Sequence, residues 1–485
     1  MKIFRPWSIN EQRMIAIPLE DHLPQGHMAI WVRDIVYALM RNDLLNWREG
    51  TEGGRPAYNP AMMMAVLIFA YIRGVRQSRR IQRLLTENIA FMVISGEQTP
   101  NFRTLSEFRR THHTLLQKVF TKVVLLALEL RMIDLGAVLV DGTLMQANAS
   151  KKQSRRLKSL KKLEQEEVEE RKARAVDGLV QRMLEEAETS DAEEDRLYGR
   201  EGYPDPIFAD QEASSSDRLE RIQKAIRLVE VAELKRRQRL AVRSAKLFRL
   251  AWGSRRKPIR GWRRTKRKAR RVKIMRLAEA LARLSKVKVP RQRRGNVTDP
   301  ESKRMSQPQT GGYIQGHRIL RATDANSGVI LDTCVATEIG ESRGLPGIIE
   351  RVMLRLGIPS LLRVVVDKGF AGEPNLKALD RLKVHETLIP QLKTSKRGER
   401  VKEAKRLVYR RTYWMKKRKR IESGFGHTKE NKGLRRLLLR GVRGAEIEMI
   451  LDAIGFNLEK IAAKFEDIPK QKIKQSLALA SKLGF

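Results

Sequence analysis

The chain has 485 residues, a formal net charge of +43 and a single cysteine, Cys334. That length allows two or three domains with a sizeable core, and the lone cysteine excludes a disulfide framework and a cysteine-ligated zinc site. The charge says nothing about fold, but it predicts a polyanionic partner, because each neutralised phosphate releases counterions and adds affinity.

Nucleic acid is the first candidate partner and an anionic membrane surface the second. The longest apolar run, AMMMAVLIFAYI (Ala61–Ile72), has 12 residues, whereas a membrane span takes about 20. MKIFRPWSIN shows no apolar core of a secretion signal. The expectation is a reducing, cytoplasmic, nucleoid-associated protein that binds nucleic acid and no membrane.

In chain order, residues 1–132 read as helical. Pro60 suits a first helical position and Gly74 closes that helix. SRRIQRLLTENIAFMVISG carries apolar positions spaced for one helical face. In TPNFRTLSEFRRTHHTLLQKVF, Thr104 and Glu107 stand at capping-box spacing and open another helix. Short breaks and many arginines make the region a candidate helix-turn-helix-like DNA reader. A plain helical bundle with a solvated basic face fits the same pattern.

A different texture begins at LGAVLVDGTLMQANASKK, where AVLV reads as a buried strand ending at Asp141. Residues Gly311–Glu338 alternate and are rich in β-branched side chains, with DANSG as a turn between two strands. LLRVVVDKGFAGEPN gives a further strand ending at Asp367, HETLIP a short one, and the stretch from about Arg410 is mainly helical.

Between these elements lies a charged intrusion, 150–290. Leu163–Asp195 holds 13 acids against 4 basic residues, and Ser254–Arg276 holds 13 basic residues and no acid. The acidic part reads as solvated helix or a partly disordered arm. The basic part, with Arg263, Arg264, Lys266 and Arg267, reads as a DNA contact; Trp252 and Trp262 lie nearby in the sequence and are of a type that could stack on a base.

Two apolar runs thus end on aspartates, AVLVD and RVVVD. Carboxylates at the exits of buried strands sit where open α/β sheets bind ligands. Brought together they repel unless a cation lies between them. Magnesium suits such a site, being a hard ion that takes one or two protein oxygens and leaves other positions to water and phosphate.

A third carboxylate stands in KRKRIESGFGHTKENKGLRR, whose first thirteen residues hold five cations and one acid, Glu422. Glu422 is either an ordinary ion-pair partner of Arg418 one turn earlier or a third metal ligand amid cations that hold a DNA backbone. Glu430 is the alternative third ligand. Arg418, Glu422 and Lys429, spaced i, i+4 and i+11, share one helical face. Gly424 and Gly426 cost that helix about 1 kcal/mol each, a cost explained if another backbone approaches closely there. Asp299, His427 and the His112–His113 pair stay outside the catalytic set, and Met62, Met63 and Met64 read as core filler.

These residues resemble a bacterial insertion-sequence transposase of the DDE type, whose catalytic domain is ribonuclease H-like. DGT at Asp141 resembles the family's first acidic motif and DKGF at Asp367 its second. Arg418, Glu422 and Lys429 match the last three positions of a tyrosine, arginine, glutamate and lysine signature with gaps of two, three and six. Met415 stands at the tyrosine position, with Tyr413 and Trp414 just before it. TLSEFRR and RGVRGAEIEMILDAIGFNLEKI resemble the family's N-terminal region and closing helix.

The resemblance implies an α/β, ribonuclease H-like mixed sheet with flanking helices, a helical DNA-binding region at 1–132, and a catalytic domain split into 133–149 and 291–465. The charged helical insertion would occupy 150–290, and 466–485 would form a tail. It implies two magnesium ions, with manganese as substitute, held by Asp141, Asp367 and Glu422. The partners would be double-stranded element ends and target DNA, with a homodimer on DNA. Two other readings stay open: a metal-dependent nuclease of the same fold that does not join strands, and a non-catalytic DNA-binding regulator derived from a transposase.

Overall fold

The computed structural model describes residues 18–45, 57–150, 153–182, 218–235, 238, 294–307, 312–336, 344–370, 372–388 and 408–465. Six helices come first: α1 (Met28–Leu45), α2 (Pro60–Ile72), α3 (Ser78–Glu87), α4 (Ile89–Ser95), α5 (Phe102–Thr111) and α6 (His113–Glu129). Asn59 caps α2 by accepting the Ala61 and Met62 amides, and Pro60 takes the first turn, where its missing N–H costs nothing. Met63 to Tyr71 are all buried, so α2 needs no polar face. Gly74 closes it at φ +70°.

Two local expectations fail here. SRRIQRLLTENIAFMVISG is not one helix: Asn88 ends α3, and its side chain accepts the Ala90 and Phe91 amides to start α4. The capping box at Thr104 does not form either. Asn101 caps α5 one turn earlier, its Oδ1 taking the Thr104 amide at 2.8 Å. In both places an asparagine supplies the acceptor that a helix start requires.

The remaining elements are β1 (Val138–Gln146), β2 (Ser154–Arg156), α7 (Leu157–Arg182), β3 (Arg294–Asn296), β4 (Lys303–Gln307), β5 (Gly312–Asp324) and β6 (Ile330–Ala336). They continue with α8 (Leu345–Leu356), β7 (Leu361–Val366), α9 (Glu373–Arg381), β8 (Val384–Leu388), α10 (Val408–Glu430) and α11 (Gly441–Phe465). The chain divides into two compact units. The first takes Met1–Met145, Arg318–Leu439 and Arg443–Phe485; the second takes Gln146–His317 and Arg440–Val442.

In the first unit β5, β1, β7 and β8 lie side by side in that order, and β6 pairs with the later half of β5. The sheet is mixed: β5 and β6 are antiparallel, while β1 with β7 and β7 with β8 are parallel. Backbone bonds from the Ala325 amide to Ala137 and from the Ala147 amide to Gln315 mark the two ends of the β5–β1 ladder. Both ends share one antiparallel register, which sets Arg321 across from Asp141.

Ala137, Val138, Leu139 and Val140 are at most 1 % exposed. Such a strand is covered on both faces and therefore reads as a continuous apolar run. One apolar cluster joins side chains of α1, α2, α4 and α6 to those of β1, β5, β6, β7, α8 and α11. The N-terminal helices and the sheet thus share a core.

A buried polar network adds direction to that core. Glu448 on α11 is fully buried. Its carboxylate accepts from Arg76 at 3.0 Å and from the Leu438 and Leu439 amides, each at 2.7 Å. Arg76 also donates to the carbonyls of Gly433 and Arg436, while buried Arg109 donates to the carbonyl of Arg76 at 3.0 Å. Burial pushes the nearby Tyr71 hydroxyl well above its usual range.

In the second unit, β2 and β3 form an antiparallel pair, and β4 pairs with the first half of β5. Leu160, Ile222, Ala225, Ile226 and Val297 form a small apolar cluster. Asp299, kept outside the catalytic set, is fully buried. Its carboxylate meets His317 Nε2 at 3.0 Å and accepts the Ser302 and Gly441 amides, both at 3.2 Å. That set of partners gives it a structural job.

Candidate active site

The parallel register pairs Val138 with Val364, Leu139 with Val365 and Val140 with Val366. The next step along both strands sets Asp141 beside Asp367, although 225 residues separate them in the sequence. Adjacent strands lie about 4.8 Å apart, so the two carboxylates need only a shared direction to meet.

Asp141 does not end its strand as expected. β1 continues to Gln146, and Asp141 Oδ1 accepts the Gly142 amide at 2.8 Å. Asp367 does follow the last residue of β7. Its carbonyl accepts the Phe370 amide at 3.0 Å in the short turn Lys368–Phe370, and fully buried Phe370 anchors that turn.

Helix α10 brings the third carboxylate. Ile421, Phe425 and Thr428 are 2 %, 5 % and 0 % exposed, and their spacing defines the buried stripe. Glu422 stands at the margin of that stripe, with its side chain 51 % exposed. Arg418 donates to Asp141 Oδ2 at 3.2 Å and to Glu422 Oε1 at 2.9 Å, and lies 4.0 Å from Asp367 Oδ1. The ordinary i, i+4 pair therefore exists, but the same guanidinium also reaches both aspartates.

Burial holds the Asp141 carboxyl above the usual carboxylate range, helped by the charges of Asp367 and Glu422. The Gly142 amide and Arg418 oppose this. Among the described residues, no three His, Cys, Asp or Glu side chains are grouped to hold one metal ion; the three carboxylates are arrayed around Arg418 instead. All the same, a set of hard oxygen donors gathered about a positive charge fits a divalent ion of the magnesium type.

Lys429 donates to Thr143 Oγ1 at 2.6 Å, and Thr143 is two residues past Asp141 on the same strand. Burial, reinforced by Arg435, pulls the Lys429 ammonium below its usual range. Glu430, the alternative third ligand, forms a forked pair with Arg435. His427 Nδ1 meets the Asn431 side-chain nitrogen at 2.8 Å, and its ring packs against Phe456. Met415 has its side chain outside the described residues, as do Arg263, Arg264, Lys266, Arg267, Trp252 and Trp262 in full. Tyr413 and Trp414 meet edge to face at 5.1 Å, with Lys417 over both rings.

Among the described residues no other backbone approaches Gly424 or Gly426: a Cβ on either would meet nothing within 4 Å. Gly424→Ala is therefore expected to stabilise the protein by about 0.5–1 kcal/mol through helix propensity alone. Urea unfolding measures it, and a destabilised variant would show that the space is not free.

Sequence reading missed Thr143, Arg321 and Asp452. The one signal for Arg321 was an arginine inside the strand-like run RILRATD. Its partners, Thr428 and Asp452, are more than 100 residues away in the sequence.

A mixed sheet flanked by helices, after an N-terminal helical region, is the architecture of a ribonuclease H-like enzyme of the DDE class. Residues 17–111 match the model of a transposase domain (DUF772), and residues 285–458 match that of a transposase DDE domain. The chain belongs to the DDE transposases of insertion sequences, enzymes that act on DNA and typically use divalent metal ions. No curated protein and no solved structure matches it. Among the described residues, no helix is long and apolar enough to cross a membrane.

Proposed function

We propose that this transposase binds the terminal inverted repeats of an insertion sequence, cuts DNA at the element ends and joins the freed 3′ hydroxyl to target DNA. One observation carries the reading: carboxylates from positions 141, 367 and 422 converge on a single guanidinium. Asp141, Asp367 and Glu422 would hold two magnesium ions, or manganese in their place. Ions so held activate the attacking oxygen and stabilise the leaving one in phosphodiester displacement.

The chain's own cations do the rest. Arg418 presents a fork suited to a phosphate, and Lys429, fixed by Thr143, adds a second contact beside Asp141. Exposed Arg80 and Arg83 on α3, with Arg103 and Arg110 on α5, would meet the backbone of the repeat. Arg263, Arg264, Lys266 and Arg267 would add sequence-independent affinity. Pairing two element ends calls for a homodimer on DNA.

The test is a labelled duplex carrying an element end, incubated with and without magnesium, beside a pre-cut 3′ end offered a target. Magnesium-dependent nicking plus a joined product is expected. Hydrolysis without joining would favour a nuclease, and no product in either assay would favour a DNA-binding regulator.

Arg418 and divalent ions compete for the same oxygens. A unit charge at 4 Å is worth about 4 kcal/mol at an effective dielectric of 20, and the partial exposure of Asp367 and Glu422 reduces this. Arg418→Ala is thus expected to raise the manganese affinity of the DNA-free protein roughly tenfold while lowering strand joining. Electron paramagnetic resonance titration reads the affinity; no change would show that the guanidinium does not neutralise the site.

A further inference from the structure

Arg321 is the largest fully buried side chain of the described residues, at 1 % exposure. Its guanidinium donates to Asp452 Oδ2 at 2.8 Å and to Thr428 Oγ1 at 3.4 Å, and it lies 4.6 Å from the Phe425 ring centroid. Thr428 Oγ1 donates to the same Asp452 oxygen at 2.9 Å. The four groups form a closed cluster joining β5, α10 and α11.

Stability alone does not explain this cluster. Desolvating an arginine and an aspartate costs several kcal/mol per ion, and apolar packing of equal volume is often as stable or more so. Apolar packing lacks direction. Helix α10 meets the sheet through Ile421, Phe425 and Thr428, and greasy contacts of that kind tolerate small rotations. A forked guanidinium bonded to Thr428 and stacked on Phe425 does not.

The position of Glu422 makes this consequential. It lies one turn before Phe425 and one turn after Arg418, between the two places where α10 is tied to the sheet. At its N-terminal side Arg418 bonds Asp141. At its C-terminal side Arg321, across the β5–β1 ladder from Asp141, holds Phe425 and Thr428. We propose that Arg321, with Asp452 and Thr428, is a positioning residue that fixes the rotation of α10 and so sets Glu422 against Asp141 and Asp367. This rests on the reading of Glu422 as the third carboxylate.

Misplacement of a reacting group by about 1 Å costs on the order of 100-fold in rate, which sets the expected scale. The test uses the full-length Arg321→Met/Asp452→Leu double variant, in which neither charge is left buried alone. Its thermal midpoint and its binding of an element-end duplex are expected to match the parent. Cleavage and joining should fall by about 100-fold, and manganese affinity of the DNA-bound protein by roughly tenfold.

In a Glu422→Gln background the same pair of changes should lower manganese affinity no further, because the cluster acts through Glu422. An additive loss there would overturn the proposal, as would a folded double variant that cuts and joins within threefold of the parent. Should the double variant fail to fold, Arg321→Lys keeps the charge and loses the fork. It is expected to cut about tenfold more slowly with DNA binding unchanged, and parental rates would refute the idea. If Glu422→Gln by itself changes neither manganese affinity nor cleavage, the assignment of Glu422 fails, which is a different result.

Discussion

Asp367→Asn is expected to abolish magnesium-dependent cleavage and strand joining, to at least about 1,000-fold below the parent, while DNA binding changes little. The amide keeps the shape of the carboxylate but removes a charge from the site. Loss of charge stabilisation at a metal-assisted transition state is worth several kcal/mol, and each 1.36 kcal/mol is tenfold in rate. Asp367 has its side chain 42 % exposed, so the fold should tolerate the change. Gel analysis of labelled element ends, beside a mobility-shift control, decides the matter. A variant that still cuts within tenfold of the parent would end the assignment of Asp367.

Glu448→Ala is expected to give the largest loss of stability, about 3–5 kcal/mol, the range seen when one partner of a buried ion pair is removed. Arg76 would keep its charge in a low-dielectric setting, and the Leu438 and Leu439 amides would lose their acceptor. Glu448→Gln retains an acceptor and should lose less. Denaturant unfolding gives the numbers, and a loss below about 1 kcal/mol would show that water replaces the carboxylate without penalty. The network fixes the segment between α10 and α11, so the variant should also loosen the end of the helix that carries Glu422.

Much of the proposed catalytic arrangement is legible in the sequence because it rests on local patterns. AVLV and VVV are apolar runs of strand length, each followed by an aspartate, and buried parallel strands have that form. The spacing of Arg418, Glu422 and Lys429 assigns them to one helical face before any coordinates are known. Local signals also misled. Thr104 and Glu107 have the spacing of a capping box, yet Asn101 already satisfied the helix start. AVLV seemed to stop at Asp141, but a strand follows its ladder partners, and the pairing with β5 continues to Gln146.

What the sequence determined by itself is the set of chemical parts: a strongly basic chain, two strand-borne aspartates, a glutamate among cations, and helices before and after. Side-chain periodicity and charge depend on near neighbours, so they can be read along the chain. Only the tertiary structure decided which parts meet. The register of β1 against β7 sets Asp141 beside Asp367, one guanidinium joins both to Glu422, and Arg321 sits beneath the helix that carries it. The contacts of Arg418 with the two aspartates and of Arg321 with Thr428 and Asp452 span 51 to 277 positions of chain and depend on strand register and helix rotation, which neither composition nor local spacing encodes.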